Sequence, residues 1–270
     1  MPSPTPRSPR RTARRSDALS RERIVETAVE VLDAAGEGGL TFRVLTERLV
    51  TGAGAIYWHV ANKDELLAAA TEAVVARALP LAPDDPATPD GPAAPDVADG
   101  PAAPDGPAAP DGPDADRPRE GVHAVALRLF EAAEAHPWLS AQIAAQLAGR
   151  PGGTVGPRIF EALGRHVRAM GVPVEGWFTA ASALMHYILG ATALNAANTA
   201  AAHALDPGVD RPRVLADAAN AWQGLDPAAY SFTRTVADQL REHDDREQFR
   251  SGLDLVLAGI AAAHPPTATA

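Results

Sequence analysis

The sequence has no cysteine. That excludes disulfides, a thiolate metal site and a cysteine nucleophile. Lysine is nearly absent too: of 24 basic residues, only Lys63 is a lysine. Aromatic residues make up 5% of a chain that is 46% apolar, so alanine and aliphatic side chains must carry the core. An alanine-rich composition favours helices. The abundance of Ala, Arg, Gly and Pro also mirrors a GC-rich coding sequence and says little about function. No clean apolar run of membrane-spanning length exists. The most apolar stretch, Phe178 to Leu194, is interrupted by Thr179, Ser182, His186 and Thr192 and reads as a buried helix. The pairs Arg10-Arg11 and Arg14-Arg15 are followed by no apolar segment, so no export signal is expected. A soluble cytoplasmic protein with no membrane contact is the expectation.

Catalytic signatures are missing as well. There is no Gly-x-Ser-x-Gly elbow, no His-Glu-x-x-His helix and no glycine loop of the kind that cradles phosphates. The eight histidines are scattered. The reading is therefore not an enzyme, with no metal and no cofactor.

Net charge is −10, which by itself argues against a nucleic-acid binder. Its distribution reverses that argument. Residues 1–79 hold eleven Lys/Arg against ten Asp/Glu, and the remainder hold thirteen against twenty-four. The acidity lies away from the N-terminal part.

Residues 41–67 organise the chain. Thr41 is a good N-cap, and Phe42, Leu45 and Leu49 share one helical face. Val50-Thr51-Gly52 breaks the pattern, and a second short helix runs from about Ala53 to His59 around Ile56. Asn62-Lys63-Asp64-Glu65 is a capping-box pattern that opens the run Leu66, Leu67, Ala70 and Val74. Two short helices with a tight break between them can place one helix in a DNA major groove. They can equally form an ordinary helical hairpin.

Tyr57-Trp58-His59-Val60, Asn62-Lys63 and Leu66-Leu67 resemble the helix-turn-helix of the TetR family of bacterial transcriptional regulators. The preceding helix (Ile24, Ala28, Leu32, Gly36) and the Gly39-Leu40-Thr41 entry fit the same pattern, so the resemblance covers about residues 20–79. The chain departs from it at Val50, where the family usually has Gly, and at Gly52, where it usually has Ser or Thr as N-cap. Gly54 lies in the first turn of the recognition helix, at a helix-interior cost of ~1 kcal/mol against alanine.

The resemblance implies an all-α protein that binds a double-stranded DNA operator as a homodimer and is released by a small-molecule effector. The expected DNA-binding residues are Thr41, Arg43, Gly52, Ala53, Gly54, Ala55, Tyr57, Trp58, His59 and Lys63. Arg43 matches a base-reading position of the tetracycline repressor, and Lys63 suits a phosphate at a helix start. The alternative is a helical effector-binding or scaffolding protein whose DNA grip has weakened at Val50, Gly52 and Gly54.

Outside this unit the chain falls into three further parts. Residues 1–19 read as a disordered arm with five arginines, either a solvated tail or a phosphate-seeking segment. Residues 80–118 hold twelve prolines, nine aspartates and a GPAAPD near-repeat, and are expected to be a disordered acidic insert. It is either a neutral insertion or an interaction arm. Residues 119–264 are read as a helical domain for ligand binding and dimerisation.

In that domain a long helix is expected from about Val174 to Ala202, then a loop with a short helix near 212–221, then two closing helices. Trp138, Phe160, Trp177, Met185, His186 and Asn195 could line an effector pocket, His186 being either a core residue or a ligand-facing one. Family likeness assigns the closing helices to a four-helix dimer bundle, with Val236, Leu240, Leu253, Val256, Leu257 and Ile260 at the interface. Those apolar rows can also face the chain's own core.

Overall fold

The computed structural model describes residues 19–81, 113–150, 152–204 and 211–265. Most of the arm and most of the acidic insert lie outside the described residues. Every regular element among those described is a helix, and the chain divides into two compact units, residues 1–73 and 74–270.

The first unit begins with α1 (Arg21–Gly39), capped by Ser20, whose hydroxyl accepts from the Arg23 amide at 3.2 Å. Gly36 interrupts it at φ 62°, ψ −172°, a conformation essentially reserved for glycine. Next is α2 (Phe42–Leu49), where the Thr41 hydroxyl accepts from the Val44 amide at 3.2 Å. Then α3 (Ala53–Tyr57) runs for five residues with no side-chain cap at Gly52.

The next helix, α4 (Lys63–Ala78), starts on the expected capping box. Asn62 Oδ1 accepts from the Glu65 amide at 2.8 Å, and the Glu65 carboxylate accepts in return from the Ala61 amide at 2.8 Å. Ile24, Ala28, Leu32, Leu40, Leu45, Ile56, Val60 and Leu66 fill the core of this unit. They are the apolar positions that the sequence pattern places on single helical faces.

The second unit is larger. Its helix α5 (Pro113–Ala135) takes in the last six residues of the expected insert. Proline at the first helical position loses no hydrogen bond, because that amide has no intrahelical partner anyway. Three more helices follow: α6 (Leu139–Gly149), α7 (Val155–Ala169) and α8 (Val174–Ala204). The short helix expected near 212–221 is α9 (Arg211–Gln223). The first closing helix is broken at Val236 into α10 (Ser231–Thr235) and α11 (Ala237–Arg241), both packed on α9. The last, α12 (Asp245–Ala263), is capped by Asp244, which accepts from the Glu247 amide at 2.7 Å.

At the centre lies α8, packed against α5, α6, α7 and α12. By length and composition it could cross a membrane. Here Ala180, Ala181, Leu184, Met185, Ile188 and Thr192 are buried within the unit. The seam with α12 is close. A Cβ at Gly252 would overlap the Tyr187 phenol, whose hydroxyl donates to the Phe249 carbonyl at 2.8 Å. Phe249 stacks in turn on Tyr187 and packs at a tilt against Phe130, with centroids 5.8 and 4.6 Å apart.

Part of the rows expected to face a second chain turns inward. Leu253, Leu257 and Ile260 are buried in the core of this unit, against the chain's own helices. Val236, Leu240 and Val256 are half-buried. Helical periodicity marks which positions are covered and not by what.

Candidate nucleic-acid interface and ligand cavities

In the first unit the turn between α2 and α3 is set by Val50, which adopts φ 50°, ψ 50°. This is the left-handed region, uncommon for a β-branched residue. The amides of Val50 and Thr51 both point back to the Thr46 carbonyl, closing the end of α2. Val50 itself is 90% exposed and Trp58, just past α3, is 89% exposed. Both are large apolar side chains left in solvent.

Phe42 stacks on Tyr57 at 4.6 Å, tying the start of α2 to the end of α3. That contact holds Arg43 and the start of α3 on one small module. Thr41, Gly52, Ala53, Gly54 and Tyr57 are exposed, while Ala55 and His59 are partly covered. The Arg43 side chain is 86% exposed, and its Nε donates to Glu47 at 2.9 Å one turn along α2. Bonding to that carboxylate pushes the guanidinium pKa further up. Such an exposed pair is weak and is readily exchanged for another acceptor.

Lys63 has a role the sequence did not show. Its Nζ donates to the Glu37 carbonyl at 2.7 Å, capping the end of α1. A phosphate could use only the ammonium's remaining protons. Arg21 with Glu65, at 3.7 Å, links the start of α1 to the first turn of α4. Arg48 pairs with Glu30 at 3.5 Å and joins α2 to α1.

The six residues expected to form one pocket in the second unit differ in their surroundings. His186 is not a core residue: it is exposed on the outer face of α8. Met185 and Trp138 are buried. The Trp177 indole N–H donates to the Val172 carbonyl at 2.6 Å, and the ring stacks with the Arg168 guanidinium at 5.8 Å. Asn195 is half-buried within α8.

Phe160 lines a cavity. It has a volume of about 320 Å³ and is walled by α6, the α6–α7 connection, α7 and Phe178 of α8. A second cavity of about 480 Å³ is lined by Arg77, Arg128, Glu131 and His136. Glu131 is already paired with Arg246. Gln146, Arg150 and Phe178, which shape the smaller cavity, carried no sequence signal, because only tertiary packing brings them to Phe160. Among the described residues, no group of three or more His, Asp or Glu could hold a metal ion.

Comparison with known proteins accounts for both units. The family model described as bacterial regulatory proteins, tetR family, matches residues 24–70. The tetracyclin repressor-like, C-terminal domain matches residues 109–264. The solved transcriptional regulator SCO7222, a TetR from Streptomyces coelicolor, is 54% identical, with 92% of this chain and 100% of that one covered and a TM-score of 0.72. ActR of Streptomyces coelicolor, solved in complex with actinorhodin, has the same fold at 22% identity, with 93% and 99% covered and a TM-score of 0.67. The tetracycline repressor protein class C of Escherichia coli is 47% identical over 57 residues, 21% of this chain. The match spans about a quarter of that repressor's length, 26%.

Proposed function

The chain belongs to the TetR family of bacterial regulatory proteins, and from that premise we propose a cytoplasmic homodimer that binds a DNA operator and releases it when a small molecule occupies the helical unit. The observation that carries this reading is the α2–α3 module. It presents Thr41, Arg43 and the small side chains of α3 to solvent, while Ile56 and Leu45 anchor it from beneath. Ala53 and Gly54 let the backbone of α3 approach a groove closely but offer nothing to read bases. Arg43 is then the base reader, since its planar fork matches the O6 and N7 acceptors of guanine. Tyr57, Trp58, His59 and Lys63 serve the backbone side of the contact.

Dimerisation is assigned to the solvent faces of α8 and α12. Ala183, His186, Gly190 and Ala193 are exposed on α8, and Leu255, Ala258, Gly259 and Ala262 are exposed on α12. Small residues let two helix pairs approach closely. Exposed Leu255 is a large apolar group that a second chain would cover. Two recognition modules held about one helical turn apart would meet a palindromic operator. Effector binding releases DNA if it favours a state in which that spacing is lost.

A second reading, a helical effector-binding protein with a weakened DNA grip, is favoured by the uncapped five-residue α3 and the left-handed Val50. Titrating the protein against its upstream DNA and random DNA across a salt series separates the two. A regulator shows one tight site above a non-specific background, with affinity falling steeply as salt rises. Equal, weak affinity for both DNAs would remove the regulator reading.

A further inference from the structure

We propose that the cavity between α6, α7 and α8 is the effector site, and that its ligand is a flat aromatic molecule bearing an anionic oxygen. This rests on the effector-responsive reading above. Three observations converge. The first is the Gln146 side-chain amide nitrogen, which is buried and has no hydrogen-bond partner; it is the one such atom among the described residues. Buried amides are almost always satisfied, so an orphan donor on a residue that lines a cavity marks a side chain that can turn toward an incoming acceptor.

The second is the pair Phe160 and Phe178, whose rings lie nearly parallel, 14° apart in plane with centroids at 5.6 Å. Phe178 is 73% exposed, a large aromatic surface left open on the wall of a cavity. An added ring system extends such a stack. The third is charge. Arg150 is the sole formally charged residue lining the cavity, and among the described residues its side chain has no hydrogen-bond or ion-pair partner. An anion is therefore favoured there and a cation is repelled.

The volume, about 320 Å³, lies at the small end for ligand pockets and suits a small fused-ring system. The larger cavity makes a poorer case. It mixes Arg77, Arg128 and His136 with Glu131 and has no phenyl face.

The test is calorimetric titration of the full chain with 2-naphthoate, neutral 2-acetylnaphthalene and decanoate. 2-Naphthoate binds, and decanoate, with the same charge and no ring face, binds at least about tenfold more weakly. Arg150→Gln weakens 2-naphthoate about tenfold or more and leaves 2-acetylnaphthalene unchanged, since only the charged oxygen loses a partner. Gln146→Leu weakens both aromatic probes and does not lower the melting temperature, because it removes an unsatisfied buried group.

The assignment is overturned if no aromatic probe binds, if decanoate matches 2-naphthoate, or if both variants bind like the wild type. It is also overturned if 2-naphthoate binds but leaves operator affinity unchanged. Operator affinity measured without any probe tests the regulator reading separately. Its loss would sink that reading and leave the cavity titrations interpretable.

Discussion

Replacing Val50 by glycine should stabilise the DNA-binding unit. Val50 sits at φ 50°, ψ 50° in the turn between α2 and α3. An L-residue pays ~1–2 kcal/mol to enter the left-handed region, and a β-branched one belongs at the upper end of that range. The side chain recovers little, because it is 90% exposed and buries almost nothing. Glycine enters the region freely but brings a more mobile unfolded chain, at ~0.4–1 kcal/mol. The difference is a net gain of about 1 kcal/mol. For a unit of this size that corresponds to a rise of ~4–8 °C in melting temperature. The assay is thermal unfolding of the full chain, with amide exchange at Thr51 and Ala55 locating the gain. Val50→Ala is the control, since it trims the side chain but keeps the positive-φ penalty. If Val50→Ala stabilised as much as Val50→Gly, or neither did, left-handed strain would not be the cause.

Four further outcomes are expected. Arg43→Ala should cost ~1–3 kcal/mol on the operator and relax preference at one position per half-site. Lys63→Ala should lower both the melting temperature and the affinity for every sequence, because the same ammonium caps α1 through Glu37; equal loss on all DNAs for Arg43→Ala would make it a phosphate contact. In α12, Leu253→Asp buries a charge in the core and should unfold the second unit, whereas Gly259→Arg on the exposed face should leave it folded and give monomers by light scattering. A folded, monomeric Leu253→Asp would mean that this leucine faces a partner after all. Burial, with the Arg165 charge second, holds the His166 imidazole below its usual pKa. Its Nε2 accepts from Arg165 Nε at 3.3 Å, which requires the neutral ring. The unfolded chain therefore takes the proton first. The stability due to His166 is full above about pH 6.5 and is lost as pH falls through that value towards the lower folded pKa. Melting temperature should drop over this window, and His166→Gln should flatten that part of the drop.

The parts of the fold legible in the sequence were those held by local bonds. Ser20, Thr41 and Asn62 each accept from an amide three residues on, so the starts of α1, α2 and α4 could be read from residue type and spacing alone. The apolar stripes of α1 and α7 were legible for a similar reason, since period 3.6 is a property of one helix. What depends on a second element was not legible. Leu253, Leu257 and Ile260 form a row on α12, but only packing onto α8 and α5 shows that the row faces inward. His186 lies in an apolar run and is nevertheless exposed, because α8 has an open side. The break at Val236 and the grip of Lys63 on Glu37 likewise come from contacts distant in sequence or from backbone geometry.

Tyr187 resting where Gly252 has no side chain acts as a key in a keyhole between α8 and α12. Slide α12 by one turn either way, and the phenol would meet Gln248 or Val256 instead of a bare backbone. Each puts a side chain where the ring now lies, so the seam favours the alignment observed. The outer residues inherit it: Gly190 of α8 and Gly259 of α12 are held at a fixed offset within each chain. A partner would then meet a surface already assembled rather than one that must form on contact. Less ordering entropy opposes such an association. A substitution at Gly252, a residue not assigned to the interface, should therefore weaken pairing between chains by spoiling the alignment of helices within one.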